Sequence, residues 1–598
     1  MDTLTWVLVG VGVFWLVAAV ARARGLLPDA VRVQGPLVTV HTTRGRALID
    51  WIASPRRAWR AWGNFGLGVA LVVMIGSVVF LAAVAVLTVL NPPPETAVNQ
   101  PRNVLVIPGV NEFLPLSVAP EIIFGLVFGV VVHEAGHGIL CRVEDIDIES
   151  MGLVFITVVF SGAFVEPNEE SQRRASRGGR SRMFAAGVTN NFAVTAVAFV
   201  LLFGPVVGSL SVVPGAAVAT ALPGSPADRA GIGQGDVITH VEGVRVDTNG
   251  DLDDVLTNVS AGRVSVRLRD GSTTTVERSV LVTGSPRGGW PFDFDPSPAD
   301  PANATIVAVN GTTVDTSAAF RELLSTREVA TLETAGGRTD TGPAGAFVTV
   351  SPGGPLATAG APTADLVVTR FAGERIVTGE DLLDAIGHTS PGQEVEVGAY
   401  RQAGGRETYT VTLGSQEGDD DGFLGVVIAR GVSGLTVTDL GVETYPAGRY
   451  LSVLGGTCEQ CPSLDVSGPQ RVLLALQLPL AGVTGGAVFP YNWAGFTGGV
   501  QGFYEVGGLL GGLLGGWTFL LANLLFWTAW INLNLGFFNC IPTFLLDGGH
   551  LFRAVTEGVV ARLPVERGQR LVAAATVTVQ VVMLTSLALM LFGAQLLG

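Results

Sequence analysis

Long apolar runs alternate with polar stretches along the chain, and six of them are long enough to cross a bilayer, which takes about 20 residues of helix. The six runs are Leu4–Val20, Phe65–Leu90, Ile122–Leu140, Met183–Val207, Leu509–Phe538 and Leu571–Leu597. A weaker run, Val472–Val488, is interrupted by Pro479 and several glycines, and we expect it to be interfacial or re-entrant. The pattern predicts a polytopic α-helical membrane protein with about six transmembrane helices.

The polar region between the fourth and fifth runs has short alternating segments separated by turn residues, which predict an inserted β-rich region. Leu222–Val246 combines a Gly-Ser-Pro-Ala turn, a short helix and a strand, and parts of this pattern recur at Ala304–Leu324 and Leu366–Gly387. These segments resemble two or three PDZ domains, one well formed and the rest divergent. The resemblance implies grooves that take an extended peptide or a chain terminus as an added strand. The alternative is a β-rich spacer without a ligand.

The two patterns together divide the chain into six regions. These are 1–64 (N-terminal transmembrane anchor and loop), 65–208 (first half of a transmembrane core), 209–282 (first PDZ-like domain), 283–430 (divergent PDZ-like region of one or two units), 431–508 (linker with a cysteine pair and the weaker apolar run) and 509–598 (second half of the core with the last span).

Composition supports a membrane protein, because only 15% of the residues are charged and 48% are hydrophobic, against roughly 25% charged in a typical soluble domain. The formal net charge is −15, and all 36 basic residues are arginine. Nucleic-acid-binding domains usually carry a basic patch, so we expect no nucleic-acid partner.

Arginines orient the predicted spans, since basic residues concentrate in cytoplasmic loops. The loops after the first, third and fifth runs carry clusters that lie within 22–60, 173–182 and 553–570. The prediction is a multi-pass protein of the cell membrane with an extracytoplasmic PDZ-like region. Cys458 and Cys461 then lie where a disulfide persists, and we expect them to form one. The alternative is two free thiols.

The third run contains the sequence H-E-A-G-H, with His133, Glu134 and His137 inside an apolar segment. Two histidines four residues apart lie on one face of a helix and suit a shared zinc ion. Glu134 is placed to take a proton from a water molecule at that ion. Three ionisable groups within a span cost free energy unless they are paired, hydrated or bound to a metal. The alternative is a helix that holds two histidines by chance.

A catalytic zinc needs a third protein ligand and one open position. The acidic residues that follow His137 lie in a charged loop beyond the span. Asp547 lies in the segment FFNCIPTFLLDGGH (Phe537–His550), after an apolar run and before two glycines, at the predicted depth of the two histidines on the cytoplasmic side, and is the better third ligand. His550 is a rival ligand, or a residue that supports the ligands.

Four motifs of the chain resemble those of the site-2 proteases, which are intramembrane zinc metalloproteases. They are HEAGHG at His133–Gly138, GAFV at Gly162–Val165, FAAGVTNNF at Phe184–Phe192 and NCIPTFLLDGG at Asn539–Gly549. The resemblance implies that His133, His137 and Asp547 bind one Zn²⁺ and that Glu134 is the catalytic residue. It also implies contacts to the ligands or to a substrate carbonyl from Asn539 and from one of Asn190 and Asn191.

The expected function is therefore zinc-dependent endopeptidase cleavage of membrane-spanning protein substrates within the lipid bilayer. The resemblance further implies regulated intramembrane proteolysis, in which a site-1-type protease makes the first cut. The alternative is a membrane-anchored PDZ scaffold with a non-catalytic metal site.

Overall fold

The computed structural model describes most of the chain, in ranges separated by gaps. They are 3–28, 30–34, 37–42, 45–93, 100, 103, 108–109, 111, 114–156, 159–286, 288–294, 301–402, 404–415, 421–456, 468–483, 489–544, 546–564 and 567–597. The chain forms two compact units. The first unit contains residues 1–211, 449–497 and 506–598, and the second contains residues 212–448 and 498–505.

The first unit is built mainly from long helices. Its elements are α1 (Thr3–Ala23), β1 (Val31–Gln34), β2 (Leu37–Thr42), α2 (Arg46–Ile52), α3 (Arg56–Leu90), α4 (Ala119–Val143), β3 (Ile148–Ile156), β4 (Val159–Pro167), α5 (Glu169–Arg174) and α6 (Arg177–Leu201). A π-helical turn, Leu202–Val206, and a 3-10 turn, Val207–Ser209, continue α6. Strand β5 (Leu210–Val212) then lies where the chain passes to the second unit.

Five helical segments in the described part of the chain are long and apolar enough to cross a membrane. They are Arg56–Leu90, Leu116–Val143, Arg177–Ser209, Trp517–Cys540 and Gly568–Leu597. They correspond to the second to sixth predicted runs, so the chain is a multi-pass membrane protein. The first run lies in α1, but the described apolar part of that helix covers only Gly12–Arg22. A sixth span therefore stays a prediction.

The fifth predicted run is not one helix. It divides into α15 (Gly508–Leu514) and α16 (Trp517–Cys540), because Gly515 takes a left-handed φ of 52° that ends the first of them. The weaker run begins in α14 (Gly468–Gln477), which gives way to a 3-10 turn at Leu478–Leu480, and its last residues lie outside the described part.

Helices α4, α6 and α16 pack against one another at the centre of this unit. The approach of α4 to α16 depends on small residues, which allow close helix packing in membranes. A Cβ atom at Gly129 of α4 would lie 3.0 Å from the side chain of Asn532 of α16. Helix α3 packs on α6, and α17 (Asp547–Val560) and α18 (Gly568–Leu597) complete the bundle.

A four-stranded antiparallel sheet in the order β1-β2-β3-β4 lies beside the bundle, with β4 at one edge and in contact with α4. This sheet brings the motif Gly162–Val165 next to the helix that carries HEAGH. It therefore contributes directly to the environment of the predicted site.

The second unit contains three sheets and short helices. Its elements are β6 (Ala216–Ala221), α7 (Pro226–Arg229), β7 (Val237–Val241), β8 (Val244–Arg245), α8 (Asn249–Asn258), β9 (Arg263–Leu268), β10 (Thr273–Glu277), β11 (Val280–Gly284), α9 (Pro301–Ala304), β12 (Thr305–Val309), β13 (Thr312–Thr313), α10 (Ser317–Ser325), β14 (Val329–Thr334), β15 (Thr339–Pro343), β16 (Ala346–Val350), α11 (Pro355–Thr358), β17 (Asp365–Phe371), β18 (Glu374–Arg375), α12 (Gly379–Gly387), β19 (Glu394–Arg401), β20 (Arg406–Thr412), β21 (Val426–Ile428), β22 (Thr436–Thr438) and β23 (Val442–Thr444). Helix α13 (Ala447–Val453) and strand β24 (Tyr504–Val506) lie at passages between the units.

The three sheets share one strand order and are nested in the sequence. Their orders are β10-β9-β7-β6-β23, β15-β14-β12-β11-β22 and β20-β19-β17-β16-β21. The last strand of each order comes from the segment 426–444, which follows the other strands of all three sheets in the sequence. In this segment β21 completes the third sheet, β22 the second and β23 the first. Each sheet has its own apolar core, which includes Leu440 in the first, Leu435 in the second and Leu424 in the third.

Each of the three sheets has the same hairpin turn and the same kind of helix cap. Each contains a hairpin whose two turn residues have positive φ, at Glu242–Gly243, Asn310–Gly311 and Ala372–Gly373, the backbone that the tightest hairpins require. The helix after each hairpin begins with a threonine cap, whose hydroxyl accepts a backbone N–H of the first turn. The arrangement therefore occurs three times, while its assignment to PDZ domains stays a prediction.

The domain limits expected from the sequence differ from this pairing. The limit at 282 falls inside β11, which belongs to the second sheet. The region 431–508, expected to be a linker, contributes β22 and β23 to the second and first sheets. Sequence pattern does not reveal such closing strands, because each is only three residues long and its partner lies more than 150 residues earlier.

Candidate metal centre

Helix α4 presents His133 and His137 on one face, as their spacing predicts. Both residues are buried, at 8% and 9% exposure. Their Nε2 atoms lie 3.2 Å apart, so the two imidazoles point towards one position between them.

Asp547 completes a triangle with these two atoms. It is the first residue of α17, directly after the loop that ends α16. Its Oδ2 lies 3.0 Å from Nε2 of His133 and 3.1 Å from Nε2 of His137. Burial alone would raise the pKa of the Asp547 carboxyl, but the facing imidazoles of His137 and His133 hold that pKa well below its ordinary value. These three side chains form a group that could hold a metal ion.

Helix α6 supports the histidines with residues spaced by four, which share one face of the helix. The carbonyl oxygen of Met183 lies 2.8 Å from Nδ1 of His137. One turn later, a Cβ atom at Gly187 would lie 2.6 Å from Nε2 of His133, so only glycine leaves room for that ring. One further turn on, the side-chain amide of Asn191 lies 3.3 Å from Nδ1 of His133.

Glu134 is half-buried and is held by the edge of the neighbouring sheet. The backbone N–H of Val165, in β4, donates a 2.9 Å hydrogen bond to its Oε2. The motif GAFV therefore contributes a main-chain donor that fixes the carboxylate next to the ligand group.

A comparison with protein families gives a match that covers most of the chain. The model of peptidase family M50 matches residues 121–584. The chain belongs to peptidase family M50. M50 peptidases are zinc metalloproteases of membranes, and they include the site-2 proteases that the motifs resemble. The matched range contains both histidines, Glu134, Asp547 and the whole second unit.

The other predicted residues of this M50 chain lie in different surroundings. Asn190 accepts a 3.0 Å hydrogen bond from Trp62 Nε1 and donates to the carbonyl of Val132 at 3.3 Å, so it ties α3 and α4 to α6. Asn539 donates to the carbonyl of Leu535 in its own helix at 3.0 Å.

His550 is exposed and does not join the ligand group. Its ring stacks on that of Phe184, with centroids 5.0 Å apart. Cys458 and Cys461 lie outside the described residues. Cys141 and Cys540 are buried free thiols.

Two backbone contributors to the site of this M50 chain were not predicted as such: the carbonyl of Met183, and the N–H of Val165 at the end of the motif GAFV. Almost any residue type can supply such backbone atoms, so the sequence does not reveal these contacts. The regular spacing of Met183, Gly187 and Asn191 is the one sequence signal that could have indicated a helix face turned towards the histidines.

Proposed function

We propose that the chain is a zinc-dependent intramembrane endopeptidase that cleaves transmembrane segments of membrane proteins. The observation that carries the proposal is the convergence of His133, His137 and Asp547 within an apolar helix bundle, beside Glu134. Three protein ligands leave one of the four positions of zinc open, as in catalytic rather than structural sites. One zinc ion per chain follows.

The dimensions of the ligand triangle fit zinc. A tetrahedral zinc ion with bonds of about 2.0–2.1 Å holds its ligand atoms about 3.3 Å apart, and the triangle has edges of 3.0, 3.1 and 3.2 Å. The donor set of two imidazoles and one carboxylate is also typical of catalytic zinc. When bound, zinc would polarise the scissile carbonyl and lower the pKa of a water molecule to about 7.

The residues of the chain would handle the proton and the substrate. Glu134 takes a proton from the attacking water and passes it to the leaving amine, while the N–H of Val165 keeps its carboxylate in place. A helical substrate hides its peptide carbonyls in internal hydrogen bonds and must unwind before attack. Asn539, near the end of α16, is a candidate contact for the freed substrate carbonyl.

The proposed topology follows the arginines. Six spans, with α1 as the first, would put the loops after the first, third and fifth spans in the cytoplasm. The metal centre would then face the cytoplasmic side, and the second unit would lie outside the cytoplasm. In that compartment a disulfide between Cys458 and Cys461 would persist.

The three nested sheets are proposed to be PDZ-like domains that bind the new terminus of a substrate already cut by a site-1-type protease. Supporting this, β22 lies at an edge of its sheet and faces α10 across a cleft of about 520 Å³. Arg321 and Arg430 line this cleft beside the acidic residues Glu322, Glu380 and Asp381. A guanidinium at this place suits an extended peptide that ends in a carboxylate.

The decisive experiment measures zinc content and proteolysis on the same purified protein in detergent. We expect about one zinc per wild-type chain and cleavage of a membrane-spanning substrate from which the extracytoplasmic domain has been removed. Glu134→Gln should keep the zinc and lower the cleavage rate by about 10²–10⁴-fold. Asp547→Ala should lose zinc. Equal cleavage by wild type and Glu134→Gln would exclude Glu134 as the base.

The scaffold alternative makes the opposite prediction. A closed structural site gains nothing from a glutamate beside its ligands, and Glu134→Gln would then leave every measurable property unchanged. Binding of peptides by the second unit without cleavage of any membrane-spanning substrate would favour the scaffold.

A further inference from the structure

The two histidines of the metal centre differ in what their second ring nitrogen contacts. Nδ1 of His137 faces the carbonyl of Met183, and a carbonyl oxygen can only accept a hydrogen bond. His137 must therefore carry its proton on Nδ1, which leaves the lone pair of Nε2 for the metal. The backbone thus fixes the tautomer of this ligand.

Nδ1 of His133 instead faces a side-chain amide, which has both a donor and an acceptor end. Asn191 is 0% exposed, and its Nδ2 lies 3.3 Å from Nδ1 of His133. Its Oδ1 has no hydrogen-bond partner among the described residues. A donor at this place would select the tautomer with the proton on Nε2, which cannot bind a metal.

We infer that Asn191 is a positioning residue whose Oδ1 accepts the Nδ1–H of His133 and so fixes the tautomer that binds zinc. A half-turn of the amide brings Oδ1 to the place of Nδ2, because the two ends have the same shape. The carboxamide then acts on His133 as the Met183 carbonyl acts on His137. This inference rests on the proposed function and assigns the role to Asn191 and not to its neighbour Asn190.

The neighbouring asparagine provides a matched control. Asn190 contacts Trp62 and Val132 and makes no contact with the histidines in the described structure. Residues that hold the second nitrogen of a metal-binding histidine typically change metal affinity by about 10–100-fold when removed. The two variants therefore separate a role in zinc binding from a role in helix packing.

The test is zinc affinity of the full chain in detergent, measured by competition with a chromogenic chelator. Asn191→Ala should bind zinc about 10–100-fold more weakly, and Asn190→Ala should bind it like wild type. Asn191→Asp should match or exceed wild type, because a carboxylate can accept the Nδ1–H but cannot donate to Nδ1.

Two results would overturn the inference. One is wild-type zinc affinity in Asn191→Ala. The other is an affinity of Asn191→Asp as low as that expected for the alanine variant, and this result decides the matter even where Asn191→Ala fails to fold. A wild-type chain that binds no zinc would instead refute the proposed function, so the two failures are distinguishable.

Discussion

At the scale of single residues, the site combines side chains on helices with main-chain groups that hold them. Glu134 follows His133 directly, but its carboxylate is oriented by the N–H of Val165 from an edge strand. Catalytic groups act efficiently only when the reacting atoms are held in line, and a displacement of about 1 Å can cost a hundredfold in rate. The orientation of Glu134 should therefore depend on one backbone hydrogen.

Val165→Pro tests this dependence, because proline removes the N–H and is tolerated in edge strands. We expect a cleavage rate lower by about tenfold to a hundredfold, with the zinc content unchanged. Val165→Ala keeps the N–H and serves as the control, and it should cleave at nearly the wild-type rate. Equal rates for the two variants would mean that the hydrogen bond does not position Glu134.

The sequence predicted the ligand group from chemistry that is visible in residue identity. The spacing of four residues predicted that His133 and His137 share one face of a helix. The predicted depth in the membrane then indicated Asp547 as their partner. The sequence could not decide between Asn190 and Asn191, because adjacent residues of a helix point about 100° apart and only the contacts of α6 with α4 decide which one faces the two histidines. The exposure of His550 also depends on the direction of α17 after Asp547.

At the scale of elements, α16 acts as a support for backbone that is not helical. Trp527 donates from Nε1 to the carbonyl of Ala494 at 2.9 Å, and Asn523 bonds both the N–H and the carbonyl of Phe496. Irregular backbone at membrane depth needs such partners within the protein. Ala494 and Phe496 lie in the region 431–508, which was expected to be a linker, and local sequence pattern does not reveal bonds between residues about 30 positions apart.

Trp527→Phe should therefore destabilise the first unit. Trp527 is 0% exposed, and loss of its N–H leaves the Ala494 carbonyl buried without a partner, at a cost of about 1–3 kcal/mol. The measurement is the midpoint of thermal unfolding in detergent. Trp517→Phe changes an indole of the same helix that is 70% exposed, and it should leave the midpoint unchanged. The same shift for both variants would contradict the supporting role of Trp527.

At the scale of the whole molecule, the second unit depends on contacts between segments that lie far apart in the sequence, namely the strands up to β20 and the closing strands β21 to β23. Two connections join the first sheet to the second. Arg278 lies in one of them, between β10 and β11, and Asp439 lies in the other, between β22 and β23. Their side chains form an ion pair at 0% and 1% exposure. Asp439 also accepts the backbone N–H of Ser317, the first residue of α10.

Removal of Asp439 should therefore weaken both sheets together. Asp439→Ala leaves the guanidinium of Arg278 buried without its charge partner, which costs about 3–5 kcal/mol. We expect faster proteolysis of the second unit in the full chain and a lower midpoint of thermal unfolding. Glu277→Ala breaks the exposed pair with Arg263 in the first sheet, where the expected cost is at most about 1 kcal/mol. If both variants resist proteolysis equally, the connection between the first two sheets does not depend on this buried pair, and each sheet is then stabilised by its own apolar core.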